Sequence, residues 1–225
     1  MFLNLGNGLF EDVTSDCGIL ECNGKGLGII VADFDDDGWP DVFVTNDGVP
    51  NCFFHNVSAG DPKSSTSSDS ATPGRRIRFS EEGMVRGVAV SGYGQSQAGM
   101  GIACGDLNQD GGLDLFVTDF FLEPNTFYTN LGDAYFEDTT PFSGVREPSL
   151  NVLSWGTQAV DFDLDGLLDL VIANGHIDNP EEAGVPWKMK PQLFRGRGGG
   201  RFSDASADSG PYFQDGYLGR GVARV

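Results

Sequence analysis

The chain has 225 residues, 39% of them hydrophobic, which suffices for one large domain or two small ones with a packed core. A formal net charge of −19, with only 14 lysines and arginines, argues against nucleic acid as a partner, because affinity there rests on neutralising phosphates. No apolar run approaches the ~20 residues of a membrane span, and no charged-then-apolar leader opens the chain.

The 33 glycines and 17 phenylalanines predict many short strands joined by tight turns. Residues 1–14, MFLNLGNGLFEDVT, read as a hairpin turning at Gly and Asn. Cys17 and Cys22 follow; they either close a small disulfide loop in an oxidising compartment or stay as two unpaired thiols. No CxxC pair is present, which argues against zinc and thioredoxin-type redox chemistry. From Gly28 the chain runs through IIVA, the acidic stretch DFDDDGWPD (33–41) and the strand DVFVTN (41–46). NCFFHN (51–56) and RIRFSEEG (76–83) read as two further strands on either side of an insert. That insert, 58–74, is Ser/Pro/Gly-rich and reads as a solvated, mobile loop without an assigned function.

The same order then recurs. Gly101, IACG, DLNQDGGLD (106–114), DLFVTD (114–119), NTFYTN, the turn LGDA and YFEDTT form a second unit, with Cys104 as a small buried apolar residue of its first strand. Gly156, TQAV, DFDLDGLLD (161–169), DLVIAN (169–174), PQLFRG, RGGG and RFSDAS form a third. GRGVARV (219–225) matches the strand before each acidic stretch, with Gly221 in the place of Gly28, Gly101 and Gly156, so an aspartate and another DxDxDG are expected to follow. Four antiparallel strands per unit predict an all-β fold built of β-propeller blades, three full and two partial. The expected boundaries are 1–25 (last hairpin of a preceding blade), 26–98, 99–153 and 154–218 (full blades) and 219–225 (first strand of the next). An incomplete, open propeller is expected rather than a closed ring of four.

The acidic loops carry the clearest chemistry. Asp33, Asp35 and Asp37 stand at alternate positions, Gly38 follows where the chain must turn sharply, and Asp41 closes the set. The second set is Asp106, Asn108, Asp110 and Asp114; the third is Asp161, Asp163, Asp165 and Asp169. Hard oxygens at this spacing suit Ca²⁺, which takes six to eight of them at ~2.3–2.6 Å, and a backbone carbonyl of Trp39, Gly112 or Leu167 would add one. Mg²⁺ suits less, because it keeps its waters. These are not EF-hands: Val44, Val117 and Ile172 stand where a bidentate glutamate would be. Three calcium sites are therefore expected, mainly structural in role, each tying two adjacent strands. Asp36 has the wrong parity and is expected to face solvent.

The combination GxGxxxxDxDxDGxxDLxVxN followed by FxDxT resembles the FG-GAP, or VCBS, repeat. GKGLGIIVADFDDDGWPDVFVTND, QAGMGIACGDLNQDG and DLVIANGHID are similar, more closely, to the ASPIC/UnbV (cartilage acidic protein-like) family, without its C-terminal domain. The resemblance implies loop carboxylates that bind calcium, an extracellular, periplasmic or cell-surface location, and a role in adhesion to a protein or glycan. Asn108 departs from the commoner aspartate, which removes one charge but keeps an oxygen.

No catalytic constellation accompanies the loops. His55 and His176 are the two histidines, and no GxSxG or phosphate loop occurs. The chain thus reads as a binding module and not an enzyme. The alternative is a propeller-type polysaccharide lyase or hydrolase acting on an acidic glycan, for which Trp187, Lys188 and Lys190 offer the one aromatic and basic set. Trp187, in the long loop 175–190, and Phe120 and Phe121 in the matching loop of the second unit are the candidates for partner contact, weighed against packing between blades.

Overall fold

A computed structural model of the chain describes residues 1–58, 77–179 and 184–223. Strands β1 (Phe2–Gly6) and β2 (Leu9–Asp12) form a hairpin whose turn places Asn7 and Gly8 in the left-handed region (φ 53° and 77°), as a tight hairpin requires. Three four-stranded antiparallel meanders follow. The first contains β3 (Gly26–Ala32), β4 (Asp41–Asn46), β5 (Cys52–Asn56) and β6 (Phe79–Glu81). The second contains β7 (Ile102–Gly105), β8 (Asp114–Val117), β9 (Thr126–Asn130) and β10 (Phe136–Asp138). The third contains β11 (Ser154–Val160), β12 (Asp169–Asn174), β13 (Gln192–Gly196) and β14 (Phe202–Asp204). Each sheet pairs its strands in chain order, which is the meander of a propeller blade. The fold is all-β in character, and among the described residues no strand pairing joins the blades into a closed ring.

The blades hold together through two apolar seams. Phe34, Phe43 and Phe53 of the first blade pack against Leu115, Val117, Tyr128 and Phe136 of the second. The opposite face of the second blade (Ala103, Leu107, Phe116, Phe127) packs on Leu170, Ile172, Phe194 and Phe202 of the third. Alternation along β8 sends Leu115 and Val117 to the first seam and Phe116 to the second, so the middle blade is apolar on both faces, whereas β4 sends Phe43 to the first seam and Val42 to a separate cluster with Cys52, Phe54 and Phe79.

The glycine ahead of each acidic loop sits where neighbouring blades meet. A Cβ on Gly101 would lie 2.4 Å from the Trp155 carbonyl oxygen, and one on Gly28 would lie 3.0 Å from that of Met100. Gly156 faces the backbone of Arg220, Gly221 and Val222 in the same way, and its N–H donates to the Arg220 carbonyl at 3.0 Å. Residues 219–223 therefore run beside the third blade, and they form no strand. Residues 224–225 and the insert at 59–74 lie outside the described residues, as do 180–183 of the long loop.

Two short helices are added to the expected fold and one pairing changes. The link from the second blade to the third winds into two single-turn helices, α1 (Thr140–Ser143) and α2 (Arg146–Ser149); Pro141 sits in the first turn of α1 and Gly144 ends it with a φ of 85°. The disulfide candidate Cys17–Cys22 is not formed. Cys22 pairs instead with Cys52 at the start of β5, across 30 residues. Cys17 is buried and free; its carbonyl accepts the Phe79 N–H at 2.8 Å and its thiol lies 3.6 Å from the Thr14 carbonyl.

Candidate metal centres

Each acidic loop joins the first two strands of a blade: 33–41 lies between β3 and β4, 106–114 between β7 and β8, and 161–169 between β11 and β12. Their backbones are alike. The fourth residue of each (Asp36, Gln109, Leu164) has φ of 59°, 66° and 59°, and the sixth (Gly38, Gly111, Gly166) has 87°, 94° and 89°. Two left-handed residues, two apart, curl the chain around the first side chain, and only glycine takes the second of them without strain.

The first aspartate organises the curl. Asp33 accepts the Asp37 N–H at 3.1 Å on one oxygen and the Gly38 N–H at 2.8 Å on the other. Asp106 does the same for Asp110 (3.0 Å) and Gly111 (3.1 Å), and Asp161 for Asp165 (3.1 Å) and Gly166 (2.9 Å). The fifth residue accepts from the seventh: Asp37 from Trp39, Asp110 from Gly112, Asp165 from Leu167. Asn108 accepts the Asp110 N–H at 2.8 Å, as Asp35 accepts that of Asp37 at 3.3 Å.

The last aspartate behaves differently. Asp41, Asp114 and Asp169 are buried at the start of the second strand, each at most 2% exposed. One oxygen accepts the N–H of the second loop residue, from Phe34, Leu107 or Phe162. The other accepts an N–H from the end of the third strand, from Asn56, Asn130 or Gly196, at 2.8–2.9 Å. Loop, second strand and third strand are thus pinned on one carboxylate. Burial pushes the Asp41 and Asp114 carboxyls up to about 6, and the neighbouring charge of Asp35 or Asp110 adds to this.

Around these, acidic oxygens collect. Ligand atoms of Asp161, Asp163 and Asp165 lie within 4.8 Å of one another, as do those of Asp35, Asp37 and His55. Asp36 is exposed and turned away from this set, by its parity and its left-handed backbone. The donor set fits a hard divalent cation: exposed carboxylates converge at one side, and buried carboxylates whose proton affinity is raised gain from a nearby positive charge.

Two nitrogen-bearing side chains near the loops, His55 and Arg195, escape local sequence reasoning. His55 Nε2 lies 2.9 Å from Asp35 and its Nδ1 3.5 Å from Glu82. Arg195 contacts Asp163 and lies 3.2 Å from Asp165. Both belong to the third strand of a blade, and the signal was present in the aligned segments NCFFHN, NTFYTN and PQLFRG, where His55, Thr129 and Arg195 share a column.

The loops joining second to third strands lie at the other end of each blade. Phe120 and Phe121 are half-buried there and stand edge-on to the His176 ring, at 5.9 and 6.0 Å. Trp187 is half-buried in the third blade's loop, where its carbonyl accepts the His176 N–H at 2.9 Å. Lys188 and Lys190 are exposed beside it. Phe120 and Phe121 thus reach from the second blade to the third.

Residues 1–44, 33–117 and 106–172 match the FG-GAP-like repeat. The chain belongs to the FG-GAP-like repeat family. It is also similar to cartilage acidic protein 1 of Mus musculus, with 25% identity over 182 residues, and to the Xenopus tropicalis and Homo sapiens proteins of that name, with 24% and 23%. These alignments cover 78% of this chain, which spans about a quarter of the length of those relatives. Among the described residues no helix is long and apolar enough to cross a membrane.

Proposed function

We propose that the chain is a calcium-braced binding module of a secreted or cell-surface protein, presenting one end of its blades to a protein or glycan without catalysing a reaction. The observation that carries this reading is the repetition: three loops with the same two left-handed residues and the same carboxylate turns, in register with three blades. A single acidic turn would need no cation, but three loops of this kind gather carboxylates on short curls, and in the third the ligand atoms of Asp161, Asp163 and Asp165 lie within 4.8 Å of one another, where they repel.

Calcium fits because the oxygens come from alternate side chains on a flexible curl; magnesium would demand near-ideal octahedral geometry. The ion, when bound, supplies charge compensation. Asp33, Asp35, Asp37 and Asp41, and their counterparts Asp106, Asn108, Asp110, Asp114, Asp161, Asp163, Asp165 and Asp169, would hold it with the carbonyls of Trp39, Gly112 and Leu167. The Cys22–Cys52 bridge agrees with an oxidising, extracytoplasmic compartment.

The test is a melting curve. Calcium at 100 times its dissociation constant stabilises the folded state by about 2.7 kcal/mol per site. The midpoint is expected to rise by several degrees in calcium, to fall on adding chelator, and to move less with magnesium; a curve indifferent to all three overturns the reading. For the partner, a glycan array and a pull-down with and without calcium are expected to show retention that Trp187→Ala weakens. Release of cleaved product from an acidic polysaccharide would instead identify a lyase or hydrolase.

A further inference from the structure

His55, Thr129 and Arg195 hold one structural position. Each is the central residue of the three-residue pairing between third and fourth strands: His55 opposite Ser80, Thr129 opposite Glu137, Arg195 opposite Ser203. From there His55 and Arg195 reach the acidic loop of their own blade. The three loops therefore meet three different counter-groups.

The first loop meets an imidazole, through the 2.9 Å contact of His55 with Asp35. The second meets no cation from this position: the Thr129 hydroxyl bonds to that of Thr139 at 2.7 Å, and the loop compensates itself with the Asn108 amide, which donates to Asp110 at 2.7 Å. The third meets a guanidinium. Arg195 Nη2 touches the Asp163 carboxylate and donates to that of Asp165, so one nitrogen serves both of the loop's exposed acids. Its Nε is buried with no hydrogen-bond partner among the described residues, so this contact is made through the outer end of the fork alone.

We propose that Arg195 is a built-in counter-cation that holds the third loop closed without metal and makes it the weakest of the three divalent-cation sites. Arginine stays charged at any physiological pH, so the compensation is permanent. A cation entering the third loop must displace or repel it, whereas cations entering the first two do not face a fixed charge. Divalent affinity in acidic loops follows the count of ligand charges; Arg195 cancels one in the third loop, as Asn108 removes one from the second, but only in the third does a fixed cation also occupy two of the ligand carboxylates and have to be displaced. The ranking of sites rests on the calcium reading; the metal-free role of Arg195 does not.

The experiment uses the full 225-residue chain, as wild type, as Arg195→Thr (the residue of the second blade) and as Thr129→Arg (the reciprocal change). In chelator, Arg195→Thr is expected to lower the melting midpoint by several degrees, because the third loop loses its one cation, and added calcium is expected to remove the difference. A chelated variant that melts with the wild type overturns the counter-cation role, whatever calcium does. In calorimetric calcium titrations, Arg195→Thr is expected to tighten the weakest binding step about tenfold and Thr129→Arg to weaken a stronger one. Unchanged or weaker binding in Arg195→Thr overturns the ranking. A wild type that takes up no calcium overturns both the ranking and the calcium reading, and leaves the chelated melts to decide the counter-cation role.

Discussion

Asp119 stands two residues beyond β8, in the sequence position that Asn46 and Asn174 hold at the ends of β4 and β12. Those amides donate to backbone carbonyls, Asn46 to Pro50 at 2.7 Å and Asn174 to Lys190 at 2.8 Å. An ionised carboxylate donates nothing, and Asp119 is 1% exposed. It accepts the Thr126 hydroxyl at 3.1 Å, but burial, with the charges of Glu123 and Asp138, holds its carboxyl well above the usual range. A carboxyl raised on folding contributes stability that is complete below its unfolded value near 4 and is lost as pH rises towards the folded one. Asp119→Asn is therefore expected to be more stable than the wild type at neutral pH, by about 1–3 kcal/mol, with the gap closing as pH falls to 4. Urea denaturation of both proteins across that range checks it; an equal or smaller stability of the variant at neutral pH would show that Asp119 has a charge partner not recognised in this environment.

Elements are fastened to one another by backbone approach and by covalent closure. β7 leaves Gly101 against the Trp155 carbonyl of the next blade, where a methyl group would meet the oxygen at 2.4 Å. Backbone cannot yield there as a flexible side chain could, so Gly101→Ala is expected to cost about 1–3 kcal/mol; a denaturation midpoint unmoved by the methyl would mean that the seam is looser than drawn. The Cys22–Cys52 bond ties the segment entering β3 to β5 and closes a 30-residue separation. By chain entropy such a closure is worth about 3–4 kcal/mol. Reductant, or Cys52→Ser, is expected to lower the melting midpoint, whereas Cys17→Ser leaves the bridge intact and should not change the protein's response to reductant.

At the scale of the whole molecule the seams decide whether three repeats behave as one body. Phe53 packs against the rings of Phe34, Phe43 and Phe136, at centroid separations of 5.6, 6.5 and 5.9 Å, under the Arg86 guanidinium. Asn130 adds a polar tie by donating to the Phe34 carbonyl of the neighbouring blade at 2.8 Å. Phe53→Ala is expected to cost about 3–5 kcal/mol and, because both blades lose the contact, to move the unfolding of the first two blades together. Two separated transitions in the variant would show instead that the blades unfold independently, as weakly coupled repeats do.

Much of this was legible from short-range pattern. Alternating acids ending in glycine, set between apolar runs, define loop, turn and strand within about ten residues, and three copies in the same order define blades. Features joined by sheet pairing were not legible. His55 and Arg195 lie 20 residues from Asp35 and 30 from Asp165, and they reach those loops only because the third strand folds back beside the second. Cys22 found Cys52 rather than the nearer Cys17 for the same reason. Sequence by itself determined which strands exist and where oxygens gather, since both follow from residue type and period. The tertiary structure alone decided which loop carries its own counter-cation, which carboxylates are sealed inside as braces, and which carboxyl is buried with no cation beside it among the described residues, because each of these is set by groups that only packing brings within a few ångströms.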